Sequence, residues 1–258
     1  MPKFSANLSF LYQEHGFLER FAAAAKDGFK AVEYLGPYAE PKEKVAETLA
    51  QHGLVQALFN VPSGDWAGGE RGIACLPGRV EEFRAGVATA LDYAAALKCP
   101  KVNVICGLVP PGADLEALEA TLVENLRYAA PRCADAGIKL LIEPINLRDI
   151  AGFFLSTTKH AERILEKVGH DNLYIQYDVY HMQVMQGDLV PTYERLRDRI
   201  AHIQVADNPG RNEPGTGEIN YGFVFAELDR LGYDGWVGCE YKPKTTTTAG
   251  LGWMQPYR

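Results

Sequence analysis

Four short stretches of this chain close on an oxygen-bearing side chain: Ile138 to Glu143, Leu173 to Asp178, Ile200 to Gln204 and Gly235 to Glu240. Each is a largely apolar run, too short for a helix, of the kind that forms a strand buried on both faces. Pro144 follows Glu143 and cannot donate to a ladder, so the first of these strands stops there. Burying an unpaired charge is costly, and three carboxylates gathered in one place need a cation or must take up protons. Ligation by oxygen alone, from Glu143, Asp178, Gln204 and Glu240, favours Mg²⁺ or Mn²⁺ over Zn²⁺. An octahedral ion so held keeps about two positions open, which suits a chelating α-hydroxycarbonyl compound. Singly, Glu143 and Glu240 also fit solvated strand ends, and Gln204 fits a plain hydrogen-bonding residue. The four together carry the argument.

Other polar residues fall near the same ends. His181 lies three positions beyond Asp178, placed to hydrogen-bond a substrate or to serve as a structural histidine. Arg211, in the loop Asp207-Asn208-Pro209-Gly210-Arg211, offers a planar fork to a substrate carboxylate; a solvated loop arginine is the plainer reading. Asn60, Trp66, Glu70 and Arg71 stand on or beside a long Gly-rich segment, Pro62 to Gly78, and loops of that length in compact domains are more often functional than idle. His202, two positions before Gln204, shares its inward face one layer deeper. Cys106 and Cys239 read as small buried thiols without a nucleophilic role.

These residues need a scaffold that brings strand ends together. Gly28-Phe29, Gly53-Leu54, Gly137-Ile138 and Gly232-Tyr233 each follow a helical pattern and precede an apolar run, which fits a left-handed helix cap with its hydrophobic contact. Strands are expected at Phe4 to Ser9, Ala31 to Tyr34, Leu54 to Asn60 and Lys101 to Ile105, then in the four stretches above. Helices are expected at Pro41 to His52, Arg79 to Leu97, Leu115 to Asp135, from a Ser156 cap to Val168, around Val190 to Leu196 and over Tyr221 to Leu231. Eight strands alternating with helices imply right-handed crossovers and a parallel sheet. Eight is the number that closes a (β/α)8 TIM barrel, an α/β fold whose sites lie at the C-terminal strand ends. An open doubly wound sheet would want a Gly-rich phosphate turn after the first strand, and Asn7-Leu8-Ser9-Phe10 offers none.

The length of 258 residues suits one such domain, spanning 1–258. A net charge of −7 with scattered Lys and Arg argues against nucleic acid or an anionic membrane as partner. Five cysteines without a Cys-x-x-Cys pair, and a start lacking a secretory apolar stretch, point to a reducing cytoplasm. The segment 242–258 carries Leu251, Trp253, Met254 and Tyr257 after a run of threonines. Such residues are expected to pack on the barrel or on a neighbouring subunit of a homo-oligomer.

The chain resembles the hydroxypyruvate isomerase family, within the xylose-isomerase-like barrels that also include sugar epimerases and endonuclease IV. The resemblance runs over nearly the whole chain. It is carried by Gly64 to Gly72, Leu141 to Asn146, Ile175 to Gln183, Glu213 to Tyr221 and Gly238 to Pro243. It implies a small 2-oxo acid substrate, with hydroxypyruvate and tartronate semialdehyde (2-hydroxy-3-oxopropanoate) interconverted through an enediolate. It implies Glu143 and Glu240 as the catalytic acids and a divalent ion among Glu143, Asp178, Gln204 and Glu240. Related sugar epimerases carry a His where this chain has Gln204, which argues against a sugar epimerase. A four-carbon acid, 2-oxo-tetronate, would use the same chemistry in a longer pocket. An endonuclease site would want more histidines and a basic groove. A non-catalytic binding protein would not need two opposed carboxylates.

Overall fold

The computed structural model describes residues 1–257. Strands β1 (Lys3–Asn7), β2 (Ala31–Tyr34), β3 (Val55–Asn60), β4 (Lys101–Val104), β5 (Lys139–Ile142), β6 (Leu173–Asp178), β7 (Ile200–Val205) and β8 (Trp236–Cys239) form one closed barrel in sequence order. The parallel pairing of β1 with β8, from Lys3–Trp236 to Ala6–Cys239, closes the ring and excludes the open sheet. Outside it lie α1 (Glu19–Lys26), α2 (Lys42–Gln51), α3 (Val80–Leu97), α4 (Leu115–Asp135), α5 (Thr158–Val168), α6 (Val179–Met185), α7 (Leu189–Leu196) and α8 (Tyr221–Arg230). No helix among the described residues is long and apolar enough to cross a membrane.

The helix-to-strand corners follow from their glycines. At the end of α1, Gly28 has φ +93°, its N–H reaches the Ala25 carbonyl, and the Phe29 N–H reaches that of Ala24. This crossed pair satisfies carbonyls that the helix end leaves open, and Phe29 then packs inward. Gly53, Gly137 and Gly232 repeat the pattern. The end of α3 uses the same corner without glycine. There Lys98 holds φ +52° while the Cys99 N–H bonds the Ala94 carbonyl.

Most of the apolar side chains lie between the strands and the helices. Leu58, Leu141 and Ala201, with Tyr174 against them, make a small separate apolar cluster. The remaining inward positions of the barrel are strongly polar: Ser5, Glu33, Gln56, Asn103, Gln176 and His202 are all buried.

Three local features differ from the sequence expectation. The cap of α5 is Thr157, whose hydroxyl accepts from the His160 N–H, rather than Ser156. Glu143 and Glu240 stand one residue past the ends of β5 and β8. Asp178 both ends β6 and caps α6, its Oδ1 accepting from the N–H groups of Tyr180 and His181. The α6 helix was not expected, because seven residues give no measurable helical period.

The C-terminal segment turns through α9 (Thr247–Gly250) and a 3-10 stretch, Leu251–Tyr257. The Trp253 ring meets Phe4 edge-on at 4.9 Å and stacks near Phe225 at 6.0 Å; Tyr257 meets the same two rings. Leu251 and Met254 are buried.

Candidate active site

Parallel strands in a closed barrel put all their C-terminal ends at one mouth. Glu143, Asp178 and Glu240 are buried there. Ligand atoms of Glu143, Asp178 and His181 lie within 4.8 Å of one another. His181 Nε2 stands 3.6 Å from Asp178 Oδ2 and 3.8 Å from Glu143 Oε1. Burial, reinforced by Glu240 and Asp178, pushes the Glu143 carboxyl well above the ordinary range. Burial raises those of Glu240 and Asp178 too, while Arg211 opposes the rise.

The expected quartet is divided in this structure. Glu240 Oε1 accepts from Arg211 at 2.7 Å. Its Oε2 accepts from Asn7 and Gln204, each at 2.8 Å. The Gln204 carbonyl oxygen accepts from Gln176 at 2.7 Å, so its amide nitrogen, not its oxygen, faces the carboxylates. Glu143 Oε2 accepts from Asn103, whose amide also donates to the Asn60 oxygen. Asn60 is thereby tied to the Glu143 side of the mouth.

Arg211 is held from several sides. It donates to Asp149 at 3.1 Å as well as to Glu240, and its guanidinium lies over the rings of Phe10 and Tyr180. Arg71 stays on the third loop. Its guanidinium lies 4.3 Å over the Trp66 ring and donates to the carbonyls of Trp66 and Glu70. None of these bonds reaches the carboxylates. The loop itself is pinned to the end of β4, where Gly72 bridges to Cys106 and a Cβ on Gly72 would stand 2.2 Å from the Ile105 oxygen.

His181 has a defined role as a donor. Asn146 Oδ1 is taken up by the Asp149 N–H at 2.7 Å, so Asn146 presents its amide nitrogen to His181 Nδ1. Burial, with Arg211 adding to it, keeps His181 neutral by lowering its pKa well below the usual value. A neutral ring that accepts at Nδ1 carries its proton on Nε2. That N–H is aimed between Glu143 and Asp178.

The donor set fits a divalent cation. Asp178 Oδ2 is buried and finds no hydrogen-bond partner among the described residues. Three buried carboxylates face a single guanidinium. Hard oxygen donors of this kind suit a hard ion.

Several participants escaped the sequence reading. Glu33 lies on β2, wholly buried, beneath Gln204 and bonded to His202. Its signal was present, since a charge within Ala31-Val32-Glu33-Tyr34 poses the same question as Glu143. Asn7, Asn103, Asn146 and Asp149 are short polar residues with no spacing to mark them.

A family model described as xylose isomerase-like TIM barrel matches residues 21–257. The chain belongs to the xylose isomerase-like TIM-barrel family. Within that family it is 55% identical to the hydroxypyruvate isomerase of Escherichia coli, with both chains covered in full. It is 49% identical to a 2-oxo-tetronate isomerase of Cupriavidus necator, over 100% of this chain and 99% of that one. A crystal structure described as an AP endonuclease, family 2, from Brucella melitensis superposes with a TM-score of 0.97 at 46% identity, again over both full lengths. A crystal structure of D-psicose 3-epimerase with D-tagatose from Clostridium cellulolyticum shares the fold at a TM-score of 0.76 and 17% identity, over 97% of this chain and 89% of that one.

Proposed function

We propose that this isomerase of the xylose isomerase-like superfamily interconverts hydroxypyruvate and 2-hydroxy-3-oxopropanoate. The observation that carries the reading is the placement of Glu143 and Glu240 in one buried mouth, with a guanidinium on one and a neutral imidazole beside the other. The full-length identity to an isomerase of hydroxypyruvate supports it.

The reaction moves one proton from C3 to C2 and one from the C3 hydroxyl to the C2 oxygen. One of the two glutamates takes the C3 proton, leaving an enediolate, and the other delivers a proton to C2. The His181 Nε2–H hydrogen-bonds the two substrate oxygens and serves the proton that passes between them. Arg211 pairs with the substrate carboxylate in bidentate fashion. To do so it withdraws an N–H from Glu240 Oε1, so substrate binding itself uncovers the oxygen that handles the proton. Asn60 steadies the Glu143 side through Asn103, and Arg71 with Trp66 closes the mouth from the third loop. Glu143 and Asp178 would hold one Mg²⁺ or Mn²⁺, while the Gln204 nitrogen stays between Glu240 Oε2 and Glu33. Such an ion supplies charge stabilisation for the substrate oxygens and acidifies the neighbouring C–H. The five buried free thiols fit a reducing cytoplasm.

The test is proton NMR of hydroxypyruvate with the protein in D₂O, beside an assay coupled to reduction of the semialdehyde. Deuterium at C2 of the product and turnover in the coupled assay are expected. A clear preference for 2-oxo-tetronate, the substrate named for the relative at 49% identity, would move the assignment to the four-carbon acid. Absence of exchange in both compounds would overturn it.

A further inference from the structure

Two amide groups in the mouth bridge the same pair of carboxylates. The Asn7 Nδ2 donates to Glu240 Oε2 at 2.8 Å and to Glu33 Oε1 at 3.3 Å. The Gln204 Nε2 donates to Glu240 Oε2 at 2.8 Å and to Glu33 Oε1 at 2.7 Å. Each –NH₂ thus spends both its hydrogens on two anions, one above and one below. Glu33 Oε2 is held from beneath by the Ser5 hydroxyl at 2.6 Å and by His202 Nε2 at 2.9 Å. The space for this carboxylate exists because β8 carries glycine opposite: a Cβ on Gly238 would stand 2.1 Å from Glu33 Oε1.

We propose that Glu33 is a positioning residue for the reaction, which fixes the amide orientation of Gln204 and through it anchors one oxygen of Glu240 and leaves the other for the proton.

An amide side chain presents nearly the same shape when its oxygen and nitrogen exchange places, so shape alone does not orient it. Asn7 is oriented by the Ser9 N–H, which its Oδ1 accepts at 3.0 Å; for Gln204 the lower acceptor decides, because its other partner, Gln176, is itself an amide whose Oε1 has no partner among the described residues and which can turn with it. With Glu33 accepting, the Gln204 nitrogen turns inward beside that of Asn7, and Glu240 Oε2 receives two N–H bonds. Glu240 Oε1 is then held only by Arg211, the group that a substrate carboxylate draws away. Without the lower acceptor, Gln204 loses the bond that keeps its nitrogen aimed at Glu240. The carboxylate is free to rotate, and the reacting oxygen is no longer fixed to the tolerance that proton transfer demands. Burial favours the arrangement, since Glu33 is the anion that Ser5, His202, Asn7 and Gln204 all reach.

The inference rests on the isomerase reading for its kinetic half and stands apart from it for its structural half. Glu33→Met keeps the length of the side chain and removes the acceptor, which Glu33→Gln would not, since its amide oxygen can still face Gln204 while its nitrogen turns to Ser5 and His202; His202 can change tautomer in the variant, its Nδ1 having no partner among the described residues. Side-chain amide protons of Gln204, followed by ¹⁵N NMR without metal or substrate, are expected to be protected from exchange in the native protein. In Glu33→Met they are expected to exchange at least about tenfold faster, and kcat for hydroxypyruvate to fall by about 10- to 100-fold, the scale for groups behind a site, with KM within about twofold. Ser5→Ala, which loosens Glu33 while keeping its charge, is expected to give a smaller change of the same kind, and decides the matter if Glu33→Met does not fold. Unchanged amide exchange in the folded variants overturns the proposal whatever the kinetics. Faster exchange with unchanged kcat overturns it as well. If the native protein lacks isomerase activity, the activity reading fails alone, and protection of the Gln204 amide still decides whether Glu33 positions it.

Discussion

Glu143 and Glu240 differ in what neutralises them, and this shapes what each substitution does. Arg211 sits on Glu240 at 2.7 Å, whereas Glu143 faces two other carboxylates and a neutral imidazole. Glu143→Gln and Glu240→Gln should each lower kcat by about 10²-fold or more, the usual scale for an acid–base group; near-normal turnover of either would remove it from the mechanism. Stability should move the other way for Glu143. Its carboxyl is pushed up by burial first and then by Glu240 and Asp178, so in the metal-free protein its ionisation is penalised only in the folded state. Between the ordinary carboxylate range and the raised native value the folded state binds the extra proton, and its stability falls as pH rises. Glu143→Gln abolishes that loss. In the presence of a chelator at pH 8 its melting temperature should exceed that of the native protein, and a lower one would show that the charge is compensated in the fold.

At the scale of elements, the corners and the helix contacts are testable separately from the chemistry. Lys98 takes the left-handed corner that Gly28, Gly53, Gly137 and Gly232 fill at other helix ends. Lys98→Gly should raise stability by about 0.5–1 kcal/mol, the gain from relieving Cβ strain less the entropy glycine gains when unfolded; a drop in the urea midpoint would show that the lysine side chain contributes there. The α4–α5 contact is electrostatic. Glu119 of α4 receives His160, Arg163 and Lys167 of α5. Partial burial pushes its carboxyl up, but Lys167 and Arg163 outweigh this and bring it down to about 2. A depressed carboxylate stabilises above its unfolded value of about 4.3 and loses that contribution as pH falls toward 2. Glu119→Gln should therefore flatten the stability profile between about pH 4.5 and 2. An unchanged slope would place the acid sensitivity elsewhere.

At the scale of the whole molecule, the last residues cover rings that the barrel leaves open. Trp253 and Tyr257 lie on Phe4 of β1 and Phe225 of α8, and the Thr247 hydroxyl accepts from the Tyr12 N–H at 2.7 Å. The segment thus fastens the seam where the first and last strands meet. Trp253→Ala should cost stability near the low end of the ~3–5 kcal/mol known for large aromatic truncations, because the ring is only partly buried. Removing residues 250–258 should lower the melting temperature further while leaving the mass in light scattering unchanged. Unchanged melting with an altered mass would show that the segment serves a contact between subunits instead.

The sequence by itself determined the alternation of strands and helices, the glycine corners and the residues that end the later strands. These are local matters: a glycine followed by an apolar residue encodes a left-handed cap, and a buried run ending in a carboxylate marks an unusual site whatever surrounds it. The contacts between those residues required the closed barrel. Glu33 and Gln204 are far apart in the chain, and only the curl of β2 toward β7 inside a closed ring makes them neighbours. No spacing foretells that Asn7 and Gln204 both turn their nitrogens toward Glu33, since an amide has two nearly equal orientations and its surroundings choose. The tautomer of His181 was hidden for the same reason, being set by Asn146 through the Asp149 backbone. Chain identity marked which groups meet at the mouth; the tertiary structure decided which atom of each faces the others, because hydrogen-bond direction is a property of the assembled network and not of any one segment.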